Sequence, residues 1–430
     1  MTSAASHIAQ SRRHLESGSA AEALAASERG LGIYPSDEEL QLLRALSLMA
    51  LDDHARAVES LRVLVAANTG NEEAWLRLGA CEARLDNPRG AVEAFEKGLQ
   101  MRPDAFLARL QYAENLLALD NHDAALIQAF RAVTTAQSKG RWLNDQTTAP
   151  ELRARVKRAM VLIDEGRRDL FLSSIEPLLE TYGRSELVRV IAALEIYLGL
   201  VKGGSPDPRQ RPTFLYVPDL EPRPYFAREL FPWYAALESA TPQILAELQA
   251  VIGARQGLQP FLIFDNGARK SDYLDSKGGE AAWDAYFFYR HGEAFDDHLA
   301  ACPVTAKALE HVPLTRIEEH APEVLFSFLS PGTLIKPHHG VTNSRVVTHL
   351  PLIVPENCAL EVGGVEHSWE VGRCVTFDDS YSHQAWNHSD RLRVVMILDS
   401  WHPDLREPET LALRQLVETI GAFNKQVGIR

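Results

Sequence analysis

The feature that most constrains this chain is a periodicity. Alanines recur at Ala23, Ala57, Ala91 and Ala125, one every 34 residues, and Pro35 lies two such periods before Pro103. Within the unit from Asn71 to Asp104, Trp75, Leu78, Gly79, Ala91, Phe95 and Pro103 mark fixed positions. Self-similarity at this period belongs to stacked units, each burying its apolar face on the next. A small residue at the recurring alanine lets the two helices of a hairpin approach closely. Leu61 and Phe95 fill the groove between successive hairpins, and the prolines end helices by removing a donor and clashing with the preceding turn. About four units are expected over residues 3–138. The first is the most degenerate, as suits a terminal repeat with one face turned to water or another domain.

The W-L-G…A…F…P spacing is that of a tetratricopeptide repeat, so residues 1–138 are expected to form an α-helical solenoid. Its concave surface has two readings: a groove for a peptide or partner protein, or a helical support packed against the C-terminal domain. Fold does not choose between them.

At 430 residues the chain has room for two or three domains. The net charge of -14 excludes the non-specific nucleic-acid binding that relies on neutralised phosphates. Cys81, Cys302, Cys358 and Cys374 are widely separated with no C-x-x-C pair, against a zinc knuckle or dithiol motif, though one disulfide stays open. Neither a signal-peptide core nor an apolar run of membrane-spanning length is present. A cytoplasmic protein without a membrane span is expected.

Residues 139–204 form an expected helical extension and linker. Val156, Met160 and Ile163 make one apolar stripe, and Leu187, Ile191, Leu194 and Leu198 another. The basic cluster from Arg153 to Arg168 is interspersed with acids and reads as a solvated helix face. Lys202-Gly-Gly-Ser-Pro-Asp-Pro-Arg-Gln-Arg-Pro212 breaks both helix and strand, placing a boundary near residue 205. Helices are expected from Pro242 to Gly253 and from Pro303 to His311, and a strand from Trp283 to Arg290. Beyond Glu323 short strands succeed one another, beginning at Val324, Arg345, Cys358, Cys374 and Leu392 and broken by turns such as Gly363-Gly364. This pattern predicts an antiparallel jelly roll over residues 205–430, with an open mouth lined by alternate side chains.

Histidines cluster in that region. His338 comes after Pro331-Gly-Thr-Leu-Ile-Lys-Pro, and His383 after the acidic turn Asp378-Asp379. Neutral imidazole suits iron, zinc, copper and nickel, so a pair on facing strands can hold a metal. Each can equally be a structural histidine, and spacing does not decide.

The combined pattern does more. Ser327-x-x-x-Pro-Gly-Thr-x-x-x-Pro-His338-x-Gly-x-Thr-Asn-x-Arg345-x-x-x-His349-Leu, Trp369-Glu-x-Gly, Phe377-Asp-Asp-Ser-x-x-His383-x-x-Trp386, Arg393 and Asp399-x-Trp-His-Pro together resemble the aspartyl/asparaginyl β-hydroxylase family. The family consists of iron(II)- and 2-oxoglutarate-dependent dioxygenases on a double-stranded β-helix, and a preceding tetratricopeptide region fits it. The match is dense over about 80 residues and loose over about 200.

The resemblance implies His338 and His383 as iron ligands. It implies Arg393 and Ser327 as the partners of the distal carboxylate of 2-oxoglutarate, and His349 as a contact near that acid's metal-binding end. A guanidinium offers a planar fork of donors to a carboxylate at any working pH. The broad dioxygenase class places a carboxylate ligand two residues after the first histidine. Here Gly340 stands there; the family resembled also lacks this carboxylate, which implies that water completes the coordination. Asp378 and Asp379 either orient His383 or cap a turn, and the turn is favoured; Trp401-His402-Pro403 reads as structural. The implied reaction couples decarboxylation of 2-oxoglutarate to succinate, with O2 as co-substrate, to hydroxylation of an Asp or Asn side chain at its β-carbon in a peptide, protein or amino acid. Arg345 is the implied contact for the substrate carboxylate. Val347 replaces a second arginine of animal members, which leaves an acyl chain open as a substrate. Two readings from other classes compete: a tetratricopeptide adaptor with a catalytically silent barrel, and a cupin-like zinc protein or metal-dependent hydrolase. The second leaves Ser327 and Arg393 without a shared reason.

Overall fold

The computed structural model describes residues 3–254, 256–262, 269–276 and 280–429. The chain divides into two compact units, Met1–Leu170 with Phe423–Arg430, and Phe171–Ala422.

The first unit is a tetratricopeptide solenoid. Its helices are α1 (Ala4–Glu16), α2 (Ala20–Leu31), α3 (Glu38–Ala50), α4 (His54–Ala67), α5 (Glu72–Arg84), α6 (Pro88–Met101), α7 (Phe106–Ala118) and α8 (His122–Ser138). The repeat shows in the turns as well as the core. Asp53, Asn87 and Asn121 cap α4, α6 and α8 by accepting the backbone N–H of Arg56, Gly90 and Ala124. The residue before each cap is Asp52, Asp86 or Asp120, at φ 61°, 55° and 56°. Aspartate is among the few side chains that tolerate this left-handed backbone. The four recurring alanines are fully buried. Gly79 admits the Phe95 ring, whose carbons would lie 2.8 Å from a Cβ placed there.

The second unit begins with helices the sequence assigned to an extension. Arg189, in the helix Val188–Tyr197, donates from Nε and Nη2 to Glu409 at 2.7 and 2.6 Å, and Arg406 Nη2 donates to the Glu186 carbonyl at 2.9 Å. Tyr197 meets Phe214 with ring centroids 5.5 Å apart. The contact boundary therefore falls at residues 170 and 171; the expected boundary near 205 reflected the break in helical pattern, which these side-chain contacts cross.

The rest of the unit is a double-stranded β-helix. Its strands are β1 (Gln259–Pro260), β2 (Leu274–Ser276), β3 (Trp283–Arg290), β4 (Glu293–Ala294), β5 (Val324–Leu329), β6 (Thr333–His338), β7 (Arg345–Ile353), β8 (Cys358–Val362), β9 (Val365–His367), β10 (Val375–Phe377), β11 (His383–Asn387) and β12 (Arg393–Trp401). One sheet runs β1-β3-β5-β12-β7-β10 with β4 beside β3; the other runs β2-β6-β11-β8-β9. All pairings between these strands are antiparallel. From β5 to β12 the chain passes back and forth between the sheets as in a jelly roll, except at the β8–β9 hairpin, which stays within one sheet. The two-residue turn between β8 and β9 is Gly363-Gly364, at φ 57° and 80°, the doubly positive conformation that suits a tight hairpin.

β5 is buried along its whole length because both faces are covered. Phe326 on β5, Val346 and Leu350 on β7 and Met396 on β12 pack outward in one core with Leu237, Ile244, Leu248 and Leu309, which come from the helices Tyr234–Ser239, Thr241–Ala254 and Pro303–Leu309. By the two-residue strand period, the alternate positions Ser327, Arg345, Val347, His349, Arg393 and Ile397 face into the barrel. Among the described residues no helix is long and apolar enough to cross a membrane. The four cysteines are free and buried.

Ala91 is fully enclosed, so Ala91→Leu should overpack the α5–α6 hairpin and cost about 1–3 kcal/mol. Far-UV circular dichroism during urea unfolding should show the helical transition moving to lower denaturant.

Candidate functional site

His338 ends β6, His383 begins β11, and the two are direct register partners with ring centroids 4.0 Å apart. His338 Nδ1 lies 2.8 Å from the Lys336 carbonyl and His383 Nδ1 3.0 Å from the Tyr381 carbonyl. A carbonyl only accepts, so each Nδ1 carries the proton and each Nε2 keeps a lone pair. Burial lowers both pKa values, that of His383 to about 3, with His338 adding to the effect. Both rings are held neutral, in the tautomer a metal ligand needs.

Gly340 lies beside them. A Cβ on residue 340 would come within 2.2 Å of Asp379 Cγ and Oδ2, so the Asp379 carboxyl fills the space a side chain there would take. The main chains are joined as well, Gly340 N–H donating to the Asp379 carbonyl at 2.7 Å. Asp379 Oδ1 is buried with no hydrogen-bond partner among the described residues. Burial pushes its pKa up to about 7 against the pull of Arg345. Asp378 is the turn cap: its Oδ1 accepts the Ser380 backbone N–H at 2.9 Å and the Ser380 hydroxyl at 2.5 Å.

Arg393 is 1% exposed, and no carboxylate pairs with it among the described residues. Its Nη1 lies 3.4 Å from Ser327 Oγ, its guanidinium stands 4.8 Å over the Trp369 ring, and its Nε has no partner. Burial lowers its pKa to about 10, still far above neutrality. A buried, charged, unpaired fork of donors is costly unless an anion joins it. Trp283 Nε1 donates to the same Ser327 hydroxyl at 2.9 Å. His349 is buried nearby, its Nδ1 without a partner and its pKa pushed well below the usual value by burial and then by Arg393.

Arg345 differs. Its Nη1 donates to Asp399 Oδ2 at 2.8 Å. Burial draws its pKa down, but Asp399, Asp379 and Glu323 outweigh that and raise it. Its Nε stays unpartnered.

All six residues singled out in the sequence line one cavity of about 220 Å³. So do Asp379, read from the sequence as a turn or orienting residue, Trp283 and Asp399, which carried no assigned role, and an apolar wall of Phe261, Leu325, Val347 and Ile397. The alternation put Trp283 on a strand but could not name its partner on β5. Asp399 was visible only within its motif. Among the described residues no set of three His, Cys, Asp or Glu gathers as a metal site. What converges is two neutral imidazoles with a buried, unpartnered carboxylate oxygen close by, a donor set that fits a divalent iron completed by water and a chelating acid. The Arg393–Ser327 pair fits that acid's far carboxylate.

Fold and site define a tetratricopeptide-repeat protein with a jelly-roll domain that turns a histidine pair and a buried arginine inward. Residues 238–403 match the family described as Aspartyl/Asparaginyl beta-hydroxylase, and residues 1–137 match Tetratricopeptide repeat. The chain thus contains an N-terminal tetratricopeptide region and a C-terminal domain of the aspartyl/asparaginyl β-hydroxylase family. It is 31% identical over 208 residues to human Aspartate beta-hydroxylase domain-containing protein 2, covering 47% of this chain and 54% of the relative. To the Ornithine lipid ester-linked acyl 2-hydroxylase of Rhizobium tropici it is 33% identical over 189 residues, 43% of this chain and 62% of the relative. To human Aspartyl/asparaginyl beta-hydroxylase it is 28% identical over 194 residues, 42% and 24% of the two chains. The chain spans about half the length of the first curated relatives it matches.

Because Asp379 occupies the space at Gly340, Gly340→Asp should not build a third metal ligand. It should displace Asp379, cost about 1–3 kcal/mol and weaken divalent-metal binding; Mn(II) titration and a thermal melt check both effects.

Proposed function

We propose that this chain is an iron(II)- and 2-oxoglutarate-dependent hydroxylase. The observation that carries the proposal is the buried, unpaired Arg393 beside Ser327, in one cavity with the two neutral histidines. An adaptor with a silent barrel gives no reason to bury an uncompensated charge there. His338 and His383 would hold the iron through Nε2. When bound, iron with 2-oxoglutarate and O2 supplies the oxidising chemistry, yielding succinate, carbon dioxide and a hydroxylated C–H position. The chain's own residues bind and orient. Arg393 and Ser327 anchor the far carboxylate, and Trp283 fixes the serine hydroxyl by donating to it, so that hydroxyl is free to donate to the acid. His349 and the apolar wall keep water from the reacting end. A peptide or protein bound in the tetratricopeptide groove is part of the proposal, as is a cytoplasmic location.

The family's substrate is an Asp or Asn side chain, and of these the carboxamide fits better. Arg345 has already given one edge to Asp399, and Val347 supplies no second cation. The ion pair with Asp399 leaves little net positive charge at this end, which suits a neutral amide oxygen better than a second carboxylate. The wall of Phe261, Leu325, Val347 and Ile397 favours a second reading, an acyl chain, the kind of group named for the Rhizobium relative.

Succinate production from 2-oxoglutarate by the iron-loaded protein tests the proposal. His338→Ala should abolish it, and Arg393→Ala should raise the KM for 2-oxoglutarate about 10- to 100-fold, as expected for losing one charge-assisted contact. An iron-loaded wild type that binds 2-oxoglutarate no better than Arg393→Ala would sink the assignment. With a matched pair of peptides differing only in Asp or Asn, Asp399→Asn should free Arg345 and shift kcat/KM towards the Asp peptide by about tenfold.

A further inference from the structure

Residues 209–215 span the end of the segment read as linker and the start of the next, and they lie ahead of the family match at residues 238–403, yet they run along both turns that carry the histidines. Arg211 N–H donates to the Ser380 carbonyl at 2.8 Å, and Ser382 N–H returns to the Arg209 carbonyl at 3.3 Å. These bonds frame an antiparallel bridge between Gln210 and Tyr381. Further on, Thr213 N–H donates to the Gly340 carbonyl at 3.1 Å and Phe214 N–H to the Val341 carbonyl at 2.9 Å. One short strap therefore joins the turn after His338 to the turn before His383.

Gln210 is the strap residue whose side chain enters. It is 5% exposed, and its Nε2 donates to Asp378 Oδ2 at 2.5 Å. The other oxygen of Asp378 is taken by Ser380, so the carboxylate is saturated by the strap on one side and its own turn on the other. That turn sets two things at the centre: the Tyr381 carbonyl that holds His383 Nδ1, and the Asp379 carboxyl packed into the space at Gly340.

We propose that Gln210 is a positioning residue of the metal centre, acting through Asp378 to fix the turn that aims His383. This rests on the reading of His338 and His383 as metal ligands. The test is Co(II) titration of the full chain, followed by its visible absorption, together with thermal melts of the metal-free protein. Gln210→Leu, which removes the donor, should weaken Co(II) binding about 10- to 100-fold and alter the absorption bands. Ser380→Ala, acting on the other oxygen, should move both readouts in the same direction and carries the test if Gln210→Leu fails to fold. Arg211→Ala is the control: its exposed side chain donates to the Pro208 carbonyl on the same strap without reaching Asp378, so affinity and spectrum should match wild type. Wild-type Co(II) affinity and spectrum in Gln210→Leu, or an equal loss in Arg211→Ala, overturns the proposal. A wild type that binds no Co(II) overturns the metal reading itself and this inference with it.

Discussion

The pairing of His338 with His383 across β6 and β11 is the constraint on which the rest of the site depends. Side chains on a strand alternate faces, so a slip of one residue in either strand would turn one imidazole out of the barrel. The register is held away from the histidines, by Leu334 opposite Trp386 and Ile335 opposite Ala385, with an irregularity between residues 383 and 385. On its other edge β11 pairs residue for residue with β8, from Val362 opposite His383 to Cys358 opposite Asn387. The histidine pair is thus locked by an apolar core containing Ile335, Leu360, Val362 and Ala385, while the carbonyls of Lys336 and Tyr381 settle which nitrogen is free.

Two arginines share the barrel interior and are treated oppositely. Arg345 is offset by Asp399 and therefore contributes little net charge at its end. Among the described residues Arg393 has no such partner, only a serine hydroxyl and an indole face. A buried ion left uncompensated costs several kcal/mol, and the fold can carry that cost because five strands and an outer layer of helices enclose β12 and its neighbours. The contrast separates an end that carries an uncompensated positive charge from an end already neutralised. Charge and not sequence position tells the two arginines apart.

Much of this was legible in the chain. The 34-residue period specified the solenoid because each repeat must satisfy the same packing, and the strands from Trp283 onward announced themselves by alternation and turn residues. The candidate site residues were legible only as a combined pattern; spacing left His338 and His383 open. Three things were not. The helices 176–197 looked like an extension because periodicity reports which face is apolar, not what covers it; Arg189 meets Glu409 across a separation no local pattern encodes. Trp283 was placed on a strand, but its bond to Ser327 depends on the register of β3 with β5. Residues 202–212 looked like a linker because glycine and proline forbid regular structure. Irregular backbone is also what pairs with irregular turns, and here the turns belong to the site.

Gly340 and Asp379 share one space. Glycine leaves room after the first histidine, and the Asp379 carboxyl enters it from the turn before the second, packed so closely that a Cβ at 340 would overlap it. Its placement then depends on contacts that the first histidine's strand does not supply: the main-chain bond from Gly340 to the Asp379 carbonyl and the saturated Asp378 carboxylate next to it. Arg345 draws on the same charge from the other side. An acid held this way answers to three segments of chain at once: the strap, its own turn and the strand that carries Arg345.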